Sequence, residues 1–121
     1  MNGASPDPAG VPMGPEMAEG EAWFAALGDP ALVPTGVVFA RVRFVAGART
    51  RWHRHEGAQI IRFEAGSGFV EMRGAGIVRT QAGDTVTVAP GVWHRHGAAG
   101  GCHTAHITVT WGATVWEEPA D

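Results

Sequence analysis

The chain has 121 residues, one domain's worth, with nine arginines, no lysine, no tyrosine, one cysteine and a formal net charge of −3. These counts exclude lysine Schiff-base and P-loop chemistry, a phenolic acid or base, an intrachain disulfide and a cysteine-rich zinc cluster. A slightly acidic chain with scattered arginines offers no basic stripe to nucleic acid, and a single cysteine, Cys102, suits a reducing cytoplasm.

Residues 1–20 contain four prolines and four glycines and show no apolar period, so they read as a flexible N-terminal tail. The segment lacks the basic and apolar regions of a secretory signal. No run of about 18 apolar residues occurs anywhere, so no membrane span is expected. Residues 21–121 then form a single domain. Within it, EAWFAAL (21–27) fits one or two helical turns, ended by Gly28 and Asp29-Pro30, with Trp23, Phe24 and Leu27 on one side.

From Gly36 onward the pattern changes to period two, broken by Gly, Pro or Asp. Ala40, Val42 and Phe44 face one way and Arg41 and Arg43 the other. Gln59, Ile61 and Phe63 share a face of the next strand. Further short strands are expected at Phe69–Arg73, Ile77–Gln81, Thr85–Ala89 and Thr104–Trp111. Ala65–Gly68, Gly74–Gly76 and Ala82–Asp84 read as the turns between them. Short strands at this spacing predict an all-β barrel or sandwich.

All six histidines lie between positions 53 and 106. His53 and His55 are i and i+2, so in a strand both rings project from one face, about 7 Å apart along the chain. His94 and His96 repeat this spacing, and Gln59 opens a strand on its inward face. A closed barrel brings the two pairs onto facing strands, where imidazoles and one side-chain oxygen converge in an apolar cavity. Neutral imidazole is the commonest nitrogen ligand of transition metals, and oxygen donors complete such sites. A lone HxH pair is more often a satisfied pair of strand residues; two pairs, each after a glycine-containing turn, point to a metal.

These residues resemble the cupin family. Gly47, His53, His55, Gln59 and Gly66 fit its first motif, with glutamine where glutamate is usual. Gly83, Gly91 and His94 fit the second, with Ala89 and Ala98 replacing its proline and asparagine. The resemblance covers residues 36–112 and implies a double-stranded β-helix, or jelly-roll, barrel. It also implies one divalent transition metal (manganese, zinc, iron or nickel) held by His53, His55, Gln59 and His94. Together with PGVWHRHGAA and His106, it extends to the small bacterial cupins that include manganese-dependent hydroxynitrile lyases, whose metal site is three histidines and a glutamine with a further histidine nearby. Related single-domain cupins also include dioxygenases, isomerases and epimerases.

An amide in place of a carboxylate ligand leaves a 2+ centre at full charge, which favours Lewis-acid chemistry over redox cycling. Gln59 otherwise only packs against or hydrogen-bonds a neighbour. Period two places Thr104, His106, Thr108 and Thr110 on one face, so His106 is the titratable member of the cavity side and a general base or acid. His96, on the face of His94, orients a ligand or carries a second proton; otherwise it sits on the barrel rim. His103 is a loop residue. Arg49, Arg51 and Arg54 form a solvated face or greet an anionic substrate. The expected reaction is a lyase, isomerase or epimerase step on a small hydroxy or oxo compound, with a dioxygenase or a non-catalytic binding module as alternatives. Exposed barrel edges predict a homodimer or higher homo-oligomer.

Overall fold

The computed structural model describes residues 8–118, and all regular structure among them is β. In chain order the strands are β1 (Val11–Pro12), β2 (Ala18–Glu19), β3 (Ala22–Ala26), β4 (Val37–Phe44), β5 (Arg49–Thr50) and β6 (His53–His55). They continue as β7 (Gln59–Met72), β8 (Gly76–Gln81), β9 (Thr85–Val88), β10 (His94–Ala98), β11 (Thr104–Trp111) and β12 (Thr114–Trp116). Every pairing is antiparallel. One sheet runs β1-β3-β4-β11-β7-β9, and the other joins β8, β7, β10, β5 and β2, with β6 between β10 and β12.

β7 belongs to both sheets, so the expected turn at Ala65–Gly68 lies inside one long strand. Its first half pairs with β11 and β9, and its second half with β10 and β8. Gly66 makes the passage feasible. It has φ +73°, and a Cβ there would sit 1.9 Å from the His103 carbonyl oxygen. The pairing with β11 slips register between Ala105 and His106, a bulge that turns the strand from one sheet into the other. The glycines that looked like a turn are therefore a bend.

The helical turns expected over 21–27 are also replaced by a strand. Ala22–Ala26 pairs residue by residue with β4, from Ala22 opposite Phe44 to Ala26 opposite Ala40. A seven-residue segment has too few internal hydrogen bonds to hold a helix, whereas the open edge of β4 offers a full ladder. Of the tail expected over 1–20, residues 1–7 lie outside the described residues. From Val11 onward the chain is paired: Val11–Pro12 with β3 and Ala18–Glu19 with β5.

The alternations read from the sequence hold. Ala40, Val42 and Phe44 are buried, as are Gln59, Ile61 and Phe63, and Thr104, His106, Thr108 and Thr110. Two apolar clusters result. Ile61, Phe63, Val70 and Val88 pack in one, and Ala18, Ala22, Val42, Phe44, Ala48 and Ala98 in the other, with Met13 and Phe24 against it. Val42, Met13 and Phe24 of the second cluster also border a cavity between the sheets. Among the described residues, no helix is long and apolar enough to cross a membrane.

Candidate metal centre

The cavity encloses about 340 Å³ between the sheets. His53 and His55 enter it from β6, where the intervening Arg54 is exposed and the two rings are buried. His94 and His96 come from β10, whose pairing sets His94 opposite His53. Gln59 enters from the start of β7, and His106 is carried by the middle of β11, behind His96. The rings form one continuous chain. Centroids are 5.1 Å apart for His53 and His55, 4.3 Å for His53 and His94, 5.2 Å for His53 and His96, and 4.7 Å for His96 and His106.

Backbone carbonyls fix the two central rings. His53 Nδ1 donates to Arg51 O and His94 Nδ1 to Val92 O, each at 2.8 Å. With Nδ1 as the donor, Nε2 of each ring is left with its lone pair. Gln59 donates its amide to Thr110 Oγ1 at 3.0 Å and turns its Oε1 toward His94 Nε2 at 2.8 Å. A neutral imidazole carries one N–H, so two lone pairs face each other across this contact. A cation satisfies both at once.

The cluster is held neutral. Burial pushes every one of these imidazoles below the usual histidine range, and neighbouring imidazoles add to the effect for His53, His55 and His96. His55 and His106 are pushed down to about 4. Neutral rings are the form that ligates metal. Buried nitrogens also lack partners: His55 Nε2, His96 Nε2 and His106 Nδ1 have none among the described residues. Leaving them unmet costs about 1–3 kcal/mol each, and a bound metal or substrate removes part of that cost. The donor set therefore fits a transition metal.

Two overlapping sets are available. The expected one is His53, His55, Gln59 and His94. In addition, His53, His94 and His96 each offer a ring nitrogen, all within 4.8 Å of one another. His53 and His94 belong to both. His96 borders the cavity, whereas His106 does not and lies behind it, its Nε2 2.8 Å from His96 Nδ1. Phe44 and Phe63 pack against His106 and close it off from the other sides.

The residues 40–111 match the family model described as Cupin domain. The chain is a cupin. Its sequence is 38% identical over 81 residues to an (R)-mandelonitrile lyase from Granulicella tundricola. That match takes in 67% of this cupin and 59% of the curated relative's length. A cupin-like protein from Thermotoga maritima superposes with a TM-score of 0.84 at 30% identity, over 93% of this chain and 87% of that one. An acetylacetone dioxygenase from Acinetobacter johnsonii gives 0.73 at 15% identity, over 98% and 82%, a likeness of fold.

Parts of the cupin site were not foreseen. Thr114 Oγ1 sits 2.7 Å from His55 Nδ1, and the Trp116 ring lies 4.5 Å from that of His53. Both come from β12, which pairs with β6. Thr114-Val115-Trp116 does alternate after Gly112, a weak strand signal too short to place. Met13 and Met17 line the cavity from the expected tail. Trp93 does not line the cavity and instead packs against Arg54 and Arg73, at 5.2 and 5.3 Å. His103 is an exposed loop residue. Arg49 and Arg51 both pair with Glu19.

Proposed function

We propose that this cupin is a metal-dependent lyase that splits a small 2-hydroxynitrile into an aldehyde or ketone and hydrogen cyanide. The observation that carries the reading is the His96–His106 pair, buried beside a neutral metal-ligand cluster and opening through His96 into an apolar cavity. The sequence likeness to a mandelonitrile lyase supports the choice of substrate class.

In this reading His53, His55, Gln59 and His94 hold one divalent transition metal: manganese, zinc, iron or nickel. The bound metal supplies Lewis-acid polarisation of a hydroxyl or carbonyl oxygen. Gln59 is fixed for its part by Thr110, His53 by Arg51 O, His94 by Val92 O and His55 by Thr114. His96 remains for proton transfer, because its Nδ1 is engaged by His106 and its Nε2 is unmet.

The step balances on these residues. His96 Nε2 takes the hydroxyl proton as the C–C bond to the nitrile breaks. The bond's electron pair leaves on cyanide, and a C=O bond forms. His96 then returns the proton to cyanide. His106 steadies the ring and shares the charge that develops on it. The apolar lining excludes water and strengthens each of these interactions.

Metal-loaded protein mixed with (R)-mandelonitrile is expected to release cyanide with no oxygen consumption. Oxygen uptake on a 1,3-diketone without cyanide release would replace the lyase by a dioxygenase. Solvent deuterium incorporation into a 2-oxo acid, again without cyanide, would replace it by an isomerase or epimerase. The outer side of β11, with Ile107 and Val109, lines a shallow apolar groove with Leu27, Val33 and Phe39. A homodimer through this face belongs to the same proposal, and light scattering of the purified protein reads it.

A further inference from the structure

Val11, Pro12, Met13 and Met17 all line the cavity. They belong to an arm, residues 11–19, that crosses from the edge of one sheet to the edge of the other. At its start Val11–Pro12 pairs with β3, and Met13 N donates to Ala22 O at 2.9 Å. At its end Ala18–Glu19 pairs with β5. Between these anchors, the N–H groups of Met17 and Ala18 both donate to Gly14 O at 3.0 Å, which folds the arm into a tight turn.

Arg51 fastens this turn. Its backbone N–H donates to Met17 O at 2.8 Å. Its guanidinium donates to Pro15 O and lies 3.4 Å from Glu19 Oε1. Its own carbonyl accepts the Nδ1 proton of His53. One residue thus holds the arm over the cavity and orients a candidate ligand.

The arm's four cavity-lining side chains bring no hydrogen-bonding group except thioether sulfur, a weak acceptor. The polar lining comes from the barrel strands and β12: the histidines, Gln59 and threonines 50, 108, 110 and 114. A ligand with a polar head and an apolar body meets both. Thioethers are polarisable and adaptable, and they contact aromatic rings favourably.

We propose that residues 11–19 are the apolar specificity wall of the substrate site, clasped by Arg51, and that they select an aryl or bulky alkyl group on the molecule whose polar end meets the histidines. Only the identity of that polar end rests on the lyase reading; the apolar selection is a property of the arm. Arg51 is a positioning residue, acting through the arm.

The test uses the full chain, zinc-loaded and labelled with 13C at the methionine methyls, titrated with benzyl alcohol. The Met13 and Met17 methyl signals are expected to shift, while Met72, packed in the other apolar cluster, stays in place. In Arg51→Ala, benzyl alcohol binding is expected to weaken by about tenfold, with bound zinc unchanged because the Arg51 carbonyl remains. Arg51→Lys is expected to recover part of the loss, and Met17→Ser to weaken binding with the clasp intact. A general loss of stability would lower the melting temperature without this pattern. Unmoved Met13 and Met17 signals, or equal binding by Arg51→Ala, would overturn the proposal. Failure of the lyase reading looks different: no cyanide from mandelonitrile, with the methionine shifts intact.

Discussion

His96 Nδ1 and His106 Nε2 are 2.8 Å apart, and of the two rings only His96 borders the cavity. The sequence alternation along β11 correctly turned His106 inward, yet the ring stops one layer short of the cavity. In the proposed reaction its role is exerted through His96.

His96→Ala and His106→Ala are each expected to lower cyanide release by about 10²–10⁴-fold, the usual weight of a proton-transfer group. The double variant is expected to lose little more than His96→Ala alone, because the two rings act as a unit. Bound metal is expected to stay. Steady-state cyanide assays with metal analysis of the same samples check this; multiplicative losses would show two independent roles.

Thr114→Val removes the partner of His55 Nδ1 while keeping the side-chain volume. Metal affinity is expected to fall by about 10–100-fold, as for other groups that orient a ligand from behind. Competition against a chelator of known affinity measures it.

Metal-free protein is expected to lose stability in acid through its histidines. His106 and His55 titrate at about 4 when folded, against 6.5 when free. Between these values the unfolded chain binds protons that the folded chain refuses. Stability from these groups is therefore complete above pH 6.5, falls as pH drops toward 4 and levels off below. The loss for fully buried His106 is on the order of 3 kcal/mol. Urea midpoints between pH 7.5 and 4.5 test it, and His106→Leu is expected to remove part of the slope.

The barrel was legible because half-buried strands write their faces into the sequence every second residue, as in Ala40, Val42 and Phe44. The two HxH pairs were legible for the same reason. What stayed hidden depends on distant pairing. Ala22–Ala26 is a strand because β4 needs an edge partner, a demand that local propensity does not record. Ala65–Gly68 has a turn's composition, yet Gly66 serves the close passage of His103 O. Thr114, Met17 and Met13 reach the site through strand pairings with β6, β5 and β3, and a three-residue or two-residue strand carries too little pattern to announce itself.

Gly66→Ala is expected to destabilise the fold by about 2 kcal/mol or more, combining a positive φ with a clash against backbone. Gly74→Ala shares the positive φ but meets no atom within 4 Å, so it is expected to cost less. Chemical denaturation of the two variants separates the steric contribution from the conformational one.

The central claim is that the buried histidine cluster is a metal centre, and His53 and His94 belong to both of its donor sets. Metal content by plasma mass spectrometry, on wild type and the His53→Ala/His94→Ala variant prepared side by side, tests it most directly. About one divalent ion per wild-type chain and none in the variant is the predicted result. Full metal content in a folded double variant would contradict the account.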